Sequence, residues 1–304
     1  MTERYNTLSA YLKRRFGCKV YKVTVDGGFT CPTRDGTKSR GGCAYCNPAG
    51  LVPKAHKGRR TVTEQIDSGV EWVRKRHGAE RFIAYFQLNT NTYADTARLR
   101  DLYEEAVRHP EVAGLCISTR PDCVPDDVLD LIEEIGSRKA LWLEMGLQSA
   151  NDSTLERINR GHTSADFRDA VERARRRGID VCAHVIFGLP GEREEDMLGT
   201  VRFVSELGVW GIKFHQLTVL CGTPLEDTYL KGGLKPLGLE EYVRLVVESL
   251  ELLPPGVVVH RLSGDAPARY VVAPRWGVNK FIIKERIEGL LEARDTRQGM
   301  RWRG

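Results

Sequence analysis

No stretch of this 304-residue chain reaches the roughly 18 consecutive apolar residues that a membrane-spanning helix needs. The N-terminus, MTERYNTLSAYLKRRFG, has no apolar core of the kind a secretory leader carries. Both absences predict a soluble, cytoplasmic protein without a membrane partner. Low-complexity tracts, fixed repeats and long linkers are missing as well, which argues against a disordered or solenoid chain. With 41% apolar residues the chain can bury a substantial core, in one large domain or little more. A reducing compartment leaves little use for disulfides, so the eight cysteines point to metal or redox chemistry where they cluster.

Three of them do cluster. The stretch DGGFTCPTRDGTKSRGGCAYCN places Cys31, Cys43 and Cys46 among glycines, with Tyr45 before the last thiol. Charge gathers around the same stretch. Residues 1–60 carry thirteen Lys/Arg against three Asp/Glu, so with +5 overall the remainder of the chain stands at −5. This basic segment reads either as a solvated face or as a groove for a polyanion such as RNA.

Hydrophobic periodicity then alternates between strand and helix. Strands are predicted over 20–25, 81–88, 112–118, 140–147, 180–187 and 211–219, with helices over 61–77, 96–109, 126–135, 164–177, 194–207 and 239–252 between or after them. Largely apolar strands separated by helices predict an α/β chain with a parallel sheet. The strands end in polar residues (QLNTNTY, STRPD, GLQS, IFGLPGE, HQLTV), the mark of a barrel whose C-terminal strand ends build a site. Six units make an open, partial (βα)6 TIM-like barrel over residues 1–255. Residues 256–304, with a strand near 257–262 and a helix over 280–293, form an extension that partly closes it.

Spacing alone leaves the metal open. Structural zinc takes four ligands, so a zinc site would have to recruit Cys18 or His56. A [4Fe–4S] cluster held by three cysteines leaves one iron free for a small molecule. Three inert buried thiols fit poorly with a polar, glycine-rich loop.

The phrases VTVDGGFTCPTRDGTKSRGGCAYCN, FQLNTNTYA, ISTRPDCVPDDVLDL, LEMGLQSANDSTLERINRGHT, CAHVIFGLPGE and HRLSGDAP closely resemble the YhcC/YtqA family of the radical S-adenosylmethionine (SAM) superfamily. The resemblance spans roughly residues 5–280. The chain departs from the common C-x3-C-x2-C spacing by its eleven-residue first gap, a widening that the similar catalytic subunit of Elongator shares. It implies that Cys31, Cys43 and Cys46 ligate three irons of a [4Fe–4S] cluster, while the fourth binds SAM. An electron from a flavodoxin- or ferredoxin-type donor would then cleave SAM to methionine and a 5′-deoxyadenosyl radical.

By the same resemblance Tyr45 packs near the adenine, Gln87 contacts the methionine amine and Gln148 the ribose. Arg160 pairs with the SAM carboxylate, to which a guanidinium fork is matched. Ser118, Arg120, Glu144 and His184 complete the implied cofactor set; the alternative for a lone strand histidine is a satisfied core residue. The local basic excess makes Arg34, Lys38, Arg40 and Lys54 a candidate lip for substrate; the resemblance adds Arg261, Asp265 and Arg269 of the C-terminal HRLSGDAPARY, whose alternative is a surface turn. The implied substrate is tRNA, at the C5 side chain of the wobble uridine. Two alternatives stand beside it: the same chemistry on a small metabolite or protein side chain, and a zinc-stabilised nucleic-acid-binding module without catalysis.

Overall fold

The computed structural model describes residues 3–47 and 61–304. Lys54 of the expected basic lip lies outside them, with Lys57, Arg59 and Arg60. Seven parallel strands form one sheet: β1 (Val20–Val25), β2 (Arg81–Phe86), β3 (Val112–Thr119), β4 (Ala140–Gln148), β5 (Asp180–Phe187), β6 (Gly211–Gln216) and, past a short hairpin strand, β8 (Val258–Arg261). The strand expected in the C-terminal extension is therefore the seventh strand of the barrel sheet, paired in parallel with β6. The long sixth run also divides. After Gln216 the chain turns away, and β7 (Val219–Leu220) pairs antiparallel with β9 (Val271–Ala273).

Period-2 alternation assigns the two faces of the sheet. On β4, Leu141, Leu143, Met145 and Leu147 join the large outer core, while Trp142 and Glu144 face inward. The outer core is filled by α2 (Val62–His77), α3 (Thr96–Arg108), α4 (Asp126–Gly136), α6 (Ser164–Arg176), α7 (Glu194–Glu206) and α9 (Leu239–Leu252). Local chemistry sets their starts. Thr61 and Glu64 close a capping box on α2, as Thr163 and Asp166 do on α6, and Asp95 caps α3. The short α5 (Asp152–Arg157) and α8 (Pro224–Leu230) and the C-terminal α10 (Lys280–Ala293), which packs on α9, complete the set used below.

The sheet curls so far that its two edge strands meet across the lumen: Lys22 of β1 and His260 of β8 both reach the same oxygen of Glu144. At the N-terminal end of the strands the lumen is plugged. Leu12 of α1 (Leu8–Phe16) packs with Val20, Ile83, Cys116, Trp142 and Cys182. Cys116 and Cys182 are buried in this plug. The opposite, C-terminal end stays open, and the cysteine loop crosses it.

Candidate active site

The cysteine loop is held at the open end by contacts to three separate parts of the barrel. Near β2, Asn89 Nδ2 donates to the Phe29 carbonyl at 2.8 Å, and Thr90 Oγ1 donates to Cys31 Sγ at 3.1 Å. Beyond β4, Asn159 Nδ2 donates to the Gly42 carbonyl at 2.8 Å, and Ala44 N to the Ile158 carbonyl at 2.9 Å. At β7, Asn47 Nδ2 donates to the Cys221 carbonyl at 2.6 Å. Gly42 has φ +80, and a Cβ there would strike the Arg34 guanidinium at 2.8 Å, so the turn before Cys43 requires glycine. Arg34 in turn donates to the Cys46 carbonyl at 2.8 Å.

Arg160 is the centre of the upper tier. It is buried, donating Nη1 to Cys43 Sγ at 3.4 Å and Nη2 to the Gly146 carbonyl at 2.8 Å. Gly146 leaves room for it: a Cβ there would lie 2.5 Å from Gln148 Nε2 and 2.7 Å from Arg160 Nη2. Gln148 and Arg160 therefore converge over one glycine at the end of β4. The register slips between Gly146 and Gln148, and Gln148 takes φ +78. Backbone held in this region persists only where the surroundings impose it, as at binding sites. Asn89, at the end of β2, has φ +62.

The electrostatics favour a thiolate. Burial opposes ionisation of Cys43, but Arg160 outweighs it and holds the thiol below its ordinary range. Burial pushes Cys46 up, and the nearby charges of Cys43 and Cys31 add to the rise. Burial likewise pushes the Tyr45 phenol up, despite Arg160. Arg120 donates from Nε and Nη2 to the two Asp122 oxygens at 3.0 Å and from Nη2 to the Arg160 carbonyl at 2.6 Å. Two guanidine atoms remain buried with no partner, Arg160 Nε and Arg120 Nη1. Buried donors in this state are normally satisfied, so these atoms call for an acceptor.

Three thiols, an arginine against one of them and two orphaned guanidine atoms fit a sulfide-rich cluster carrying an anionic ligand. They fit zinc poorly. Cys18 precedes β1 and the loop follows it, so the strand's six residues put about 20 Å between them. His56 lies outside the described residues. Among those described, no three His, Cys, Asp or Glu side chains converge on a single-ion site.

The expected cofactor set divides into two tiers. Tyr45, Arg120, Gln148 and Arg160 gather at the upper tier, and Gln87 borders it, accepting from Thr24 Oγ1 at 3.4 Å. Ser118, Glu144 and His184 lie lower, in a layer that sequence reasoning did not assemble. There Glu144 Oε2 accepts from Lys213 Nζ at 2.6 Å, His184 Nε2 at 2.9 Å and the Tyr85 hydroxyl. Its Oε1 accepts from Lys22 Nζ and from His260 Nδ1 at 3.2 Å. Ser118 Oγ donates to the Tyr85 oxygen at 3.1 Å. Burial opposes ionisation of Glu144, yet Lys213 and Lys22 hold it well below the usual carboxylate range. His162, also missed, donates Nε2 to the Gly146 carbonyl at 3.1 Å and is held neutral, its pKa pushed to about 3 chiefly by burial and then by Arg160.

The expected basic lip divides as well. Lys38 is tied to Asp122 at 2.6 Å and to the Gly161 carbonyl at 3.3 Å, and Arg34 braces the loop. Arg40 and Arg269 are exposed, Asp265 pairs with Lys280 at 3.1 Å, and Arg261 lies beside the lumen, where its charge acts on Lys213 and His215.

A parallel half-barrel with a three-cysteine loop over the C-terminal strand ends defines the class of radical SAM enzymes. The chain belongs to the Radical SAM superfamily, which residues 36–204 match, with residues 209–293 matching the Radical_SAM C-terminal domain. Within it, the chain belongs to the family of YtqA and YhcC: it is 41% identical to YtqA of Bacillus subtilis over 98% of this chain and 92% of that protein. A tRNA uridine(34) acetyltransferase of Dehalococcoides mccartyi is 30% identical over 62% of this chain, which spans 40% of that longer protein. The solved structure of Methanocaldococcus infernus Elp3 shares the fold, with a TM-score of 0.70 at 21% identity, covering 92% of this chain and 64% of that one. The cofactors are those of the superfamily, a [4Fe–4S] cluster and SAM. Among the described residues no helix is long and apolar enough to cross a membrane.

Proposed function

We propose that this enzyme modifies tRNA, at the C5 side chain of a wobble uridine. The observation that carries the reading is the likeness of its barrel to tRNA uridine(34) acetyltransferases. The rim supports it. Arg40 of the cysteine loop and Arg269, Arg275 and Lys280 of the C-terminal segment are exposed. That segment is brought to the loop because Cys221 bonds to both Tyr270 and Asn47.

When bound, the cluster and SAM supply a carbon radical able to take hydrogen from an unactivated position. The chain's part is placement and shielding. Cys31, Cys43 and Cys46 would hold the cluster, with Arg160 keeping Cys43 ionised. Arg160 and Gln148 would orient SAM through its carboxylate and ribose, with Tyr45 against the adenine, Gln87 on the amine side and Arg120 bracing Arg160. A flavodoxin- or ferredoxin-type protein would deliver the electron. The exposed rim cations would take phosphates.

The test is nucleoside mass spectrometry of tRNA from a deletion strain beside its parent. The expected result is a uridine modification that disappears, returning with the wild-type gene but not with Cys43→Ala. Purified Cys43→Ala protein should also hold less iron than the roughly four atoms per chain of the wild type. Unchanged nucleosides, together with a tRNA affinity indifferent to salt, would sink the reading, because phosphate contacts release counterions.

A further inference from the structure

Seven side chains, one from each strand of the sheet, form a charged floor beneath the upper tier: Lys22, Tyr85, Ser118, Glu144, His184, Lys213 and His260. Two lysines share a single carboxylate. The two oxygens of Glu144 already accept from five donors, about as many as their lone pairs can take. Lys22 otherwise lies over the rings of Tyr85, at 4.6 Å, and Trp142, at 5.2 Å. A third cation, Arg261, acts on Lys213, whose ammonium is disfavoured first by burial and then by Arg261 and Lys22, with Glu144 the one opposing charge. The Arg261 backbone pairs with Lys213 in the sheet, but among the described residues its guanidinium has no hydrogen-bond or ion-pair partner. The histidines do not offset this excess, since His184, His215 and His260 are neutral when buried beside lysines.

The floor is reachable from above. The Lys22 and His184 side chains keep 19% and 17% of their surface, and Thr24, Gln87 and His215 above them are half-buried. A low-dielectric lumen with surplus positive charge favours an anion as its occupant. Phosphates are usually held by helix starts or nests of backbone N–H groups. The walls here are strands whose N–H groups are committed to the sheet ladder, so recognition falls to ammonium and imidazole side chains.

We propose that the barrel floor binds a carboxylate group of the substrate between Lys22, Lys213 and Arg261, roughly 7 Å below the tier of Gln148 and Arg160. This deepens the radical SAM reading of the same cavity and rests on it. The carboxylate belongs either to a free small acid or to a carboxyl-bearing arm of a larger substrate whose body lies on the rim. Glu144 is then a positioning residue that holds both ammonium groups toward the lumen.

The experiment is isothermal titration calorimetry on the full-length, cluster-loaded protein, with SAM saturating so that its own carboxylate is accounted for. Acetate and succinate are titrated against acetamide and succinamide, 5-carboxyuridine against uridine, and inorganic phosphate alone. The acids should bind saturably and the amides should not, with affinity falling at least about tenfold in Lys22→Met and in Lys213→Met. Tighter binding of 5-carboxyuridine than of succinate assigns the group to a nucleoside arm, and the reverse to a free acid; either order supports the site. No saturable binding of any acid by the wild type would overturn it. So would binding unchanged in both variants, or a preference for phosphate. Lys213→Met risks misfolding, but Lys22→Met leaves Lys213 on Glu144. Affinity for tRNA, measured with an Arg269→Ala variant, reports on the rim alone, so the two readings fail separately.

Discussion

The rim and the floor of this barrel use the same strands in different ways. At the rim the functional side chains come from loops and from strand ends where the ladder breaks, with Gln148 and Asn89 at positive φ. At the floor they come from mid-strand positions, and none of the seven has a positive φ. The rim relies on sulfur, guanidinium and orphaned donors that need a bound group to complete them. The floor is hydrogen-bonded around one carboxylate, and its own buried atoms without a partner are ring nitrogens, His260 Nε2 with the adjacent His215 Nε2 and Trp142 Nε1. Loop-built sites can change spacing without disturbing the sheet, as the eleven residues between Cys31 and Cys43 do. In a layer built from all seven strands around one carboxylate, a change at Glu144 reaches all five donors bonded to it.

The sharpest way to break this comparison is to remove the charge at the centre of the floor. Glu144→Ala leaves Lys22 and Lys213 buried without a counter-charge, and a loss of about 3–5 kcal/mol in chemical denaturation is expected. A loss below about 1 kcal/mol would mean that the floor is hydrated as a surface is. At the rim the expected effect is on binding. Arg160→Met should weaken SAM binding about ten- to a hundredfold in equilibrium dialysis of the unreduced protein. Unchanged SAM affinity with less bound iron would instead restrict Arg160 to its contact with Cys43.

The most graded effect is acid sensitivity of the floor, small for each step of pH near neutrality. His184 and His260 are held neutral, chiefly by burial, with pKa values lowered from 6.5 to about 4 and about 3. The unfolded chain takes up these protons near 6.5, so below that pH it binds more protons than the native state. Their contribution is complete above pH 6.5 and is lost as the pH falls toward 4, by up to about 1.4 kcal/mol per unit for each histidine. Melting temperatures measured from pH 7 to pH 5 should fall, and His184→Gln should flatten the slope. A slope unchanged by that substitution would place the acid sensitivity elsewhere.

Much of the fold could be read in advance because parallel strands buried on both faces write near-continuous apolar runs. The β7–β9 hairpin and α8 could not: two-, three- and seven-residue elements carry too few positions for a period to show. The 211–219 run looked like one strand because apolar alternation continues past Gln216, where the chain leaves the sheet. At the site, the thiols were legible from spacing and glycine content. Arg34 and Lys38, which looked free for a substrate, brace the cysteine loop: Arg34 bonds within it to the Cys46 carbonyl, and Lys38 ties it to Asp122 and Gly161, residues far away in the chain.

By itself the sequence determined the cysteine loop, the strand–helix alternation and the polar strand ends, since each depends on residues close together in the chain. It also singled out Glu144 and His184, but not their company. Only the tertiary structure decided that Lys22 and His260, 238 positions apart, share one oxygen of Glu144. Alternation says that a strand side chain faces one side or the other. How tightly the sheet curls, and so which side becomes a lumen narrow enough for seven strands to meet, depends on the packing of the whole outer layer of helices.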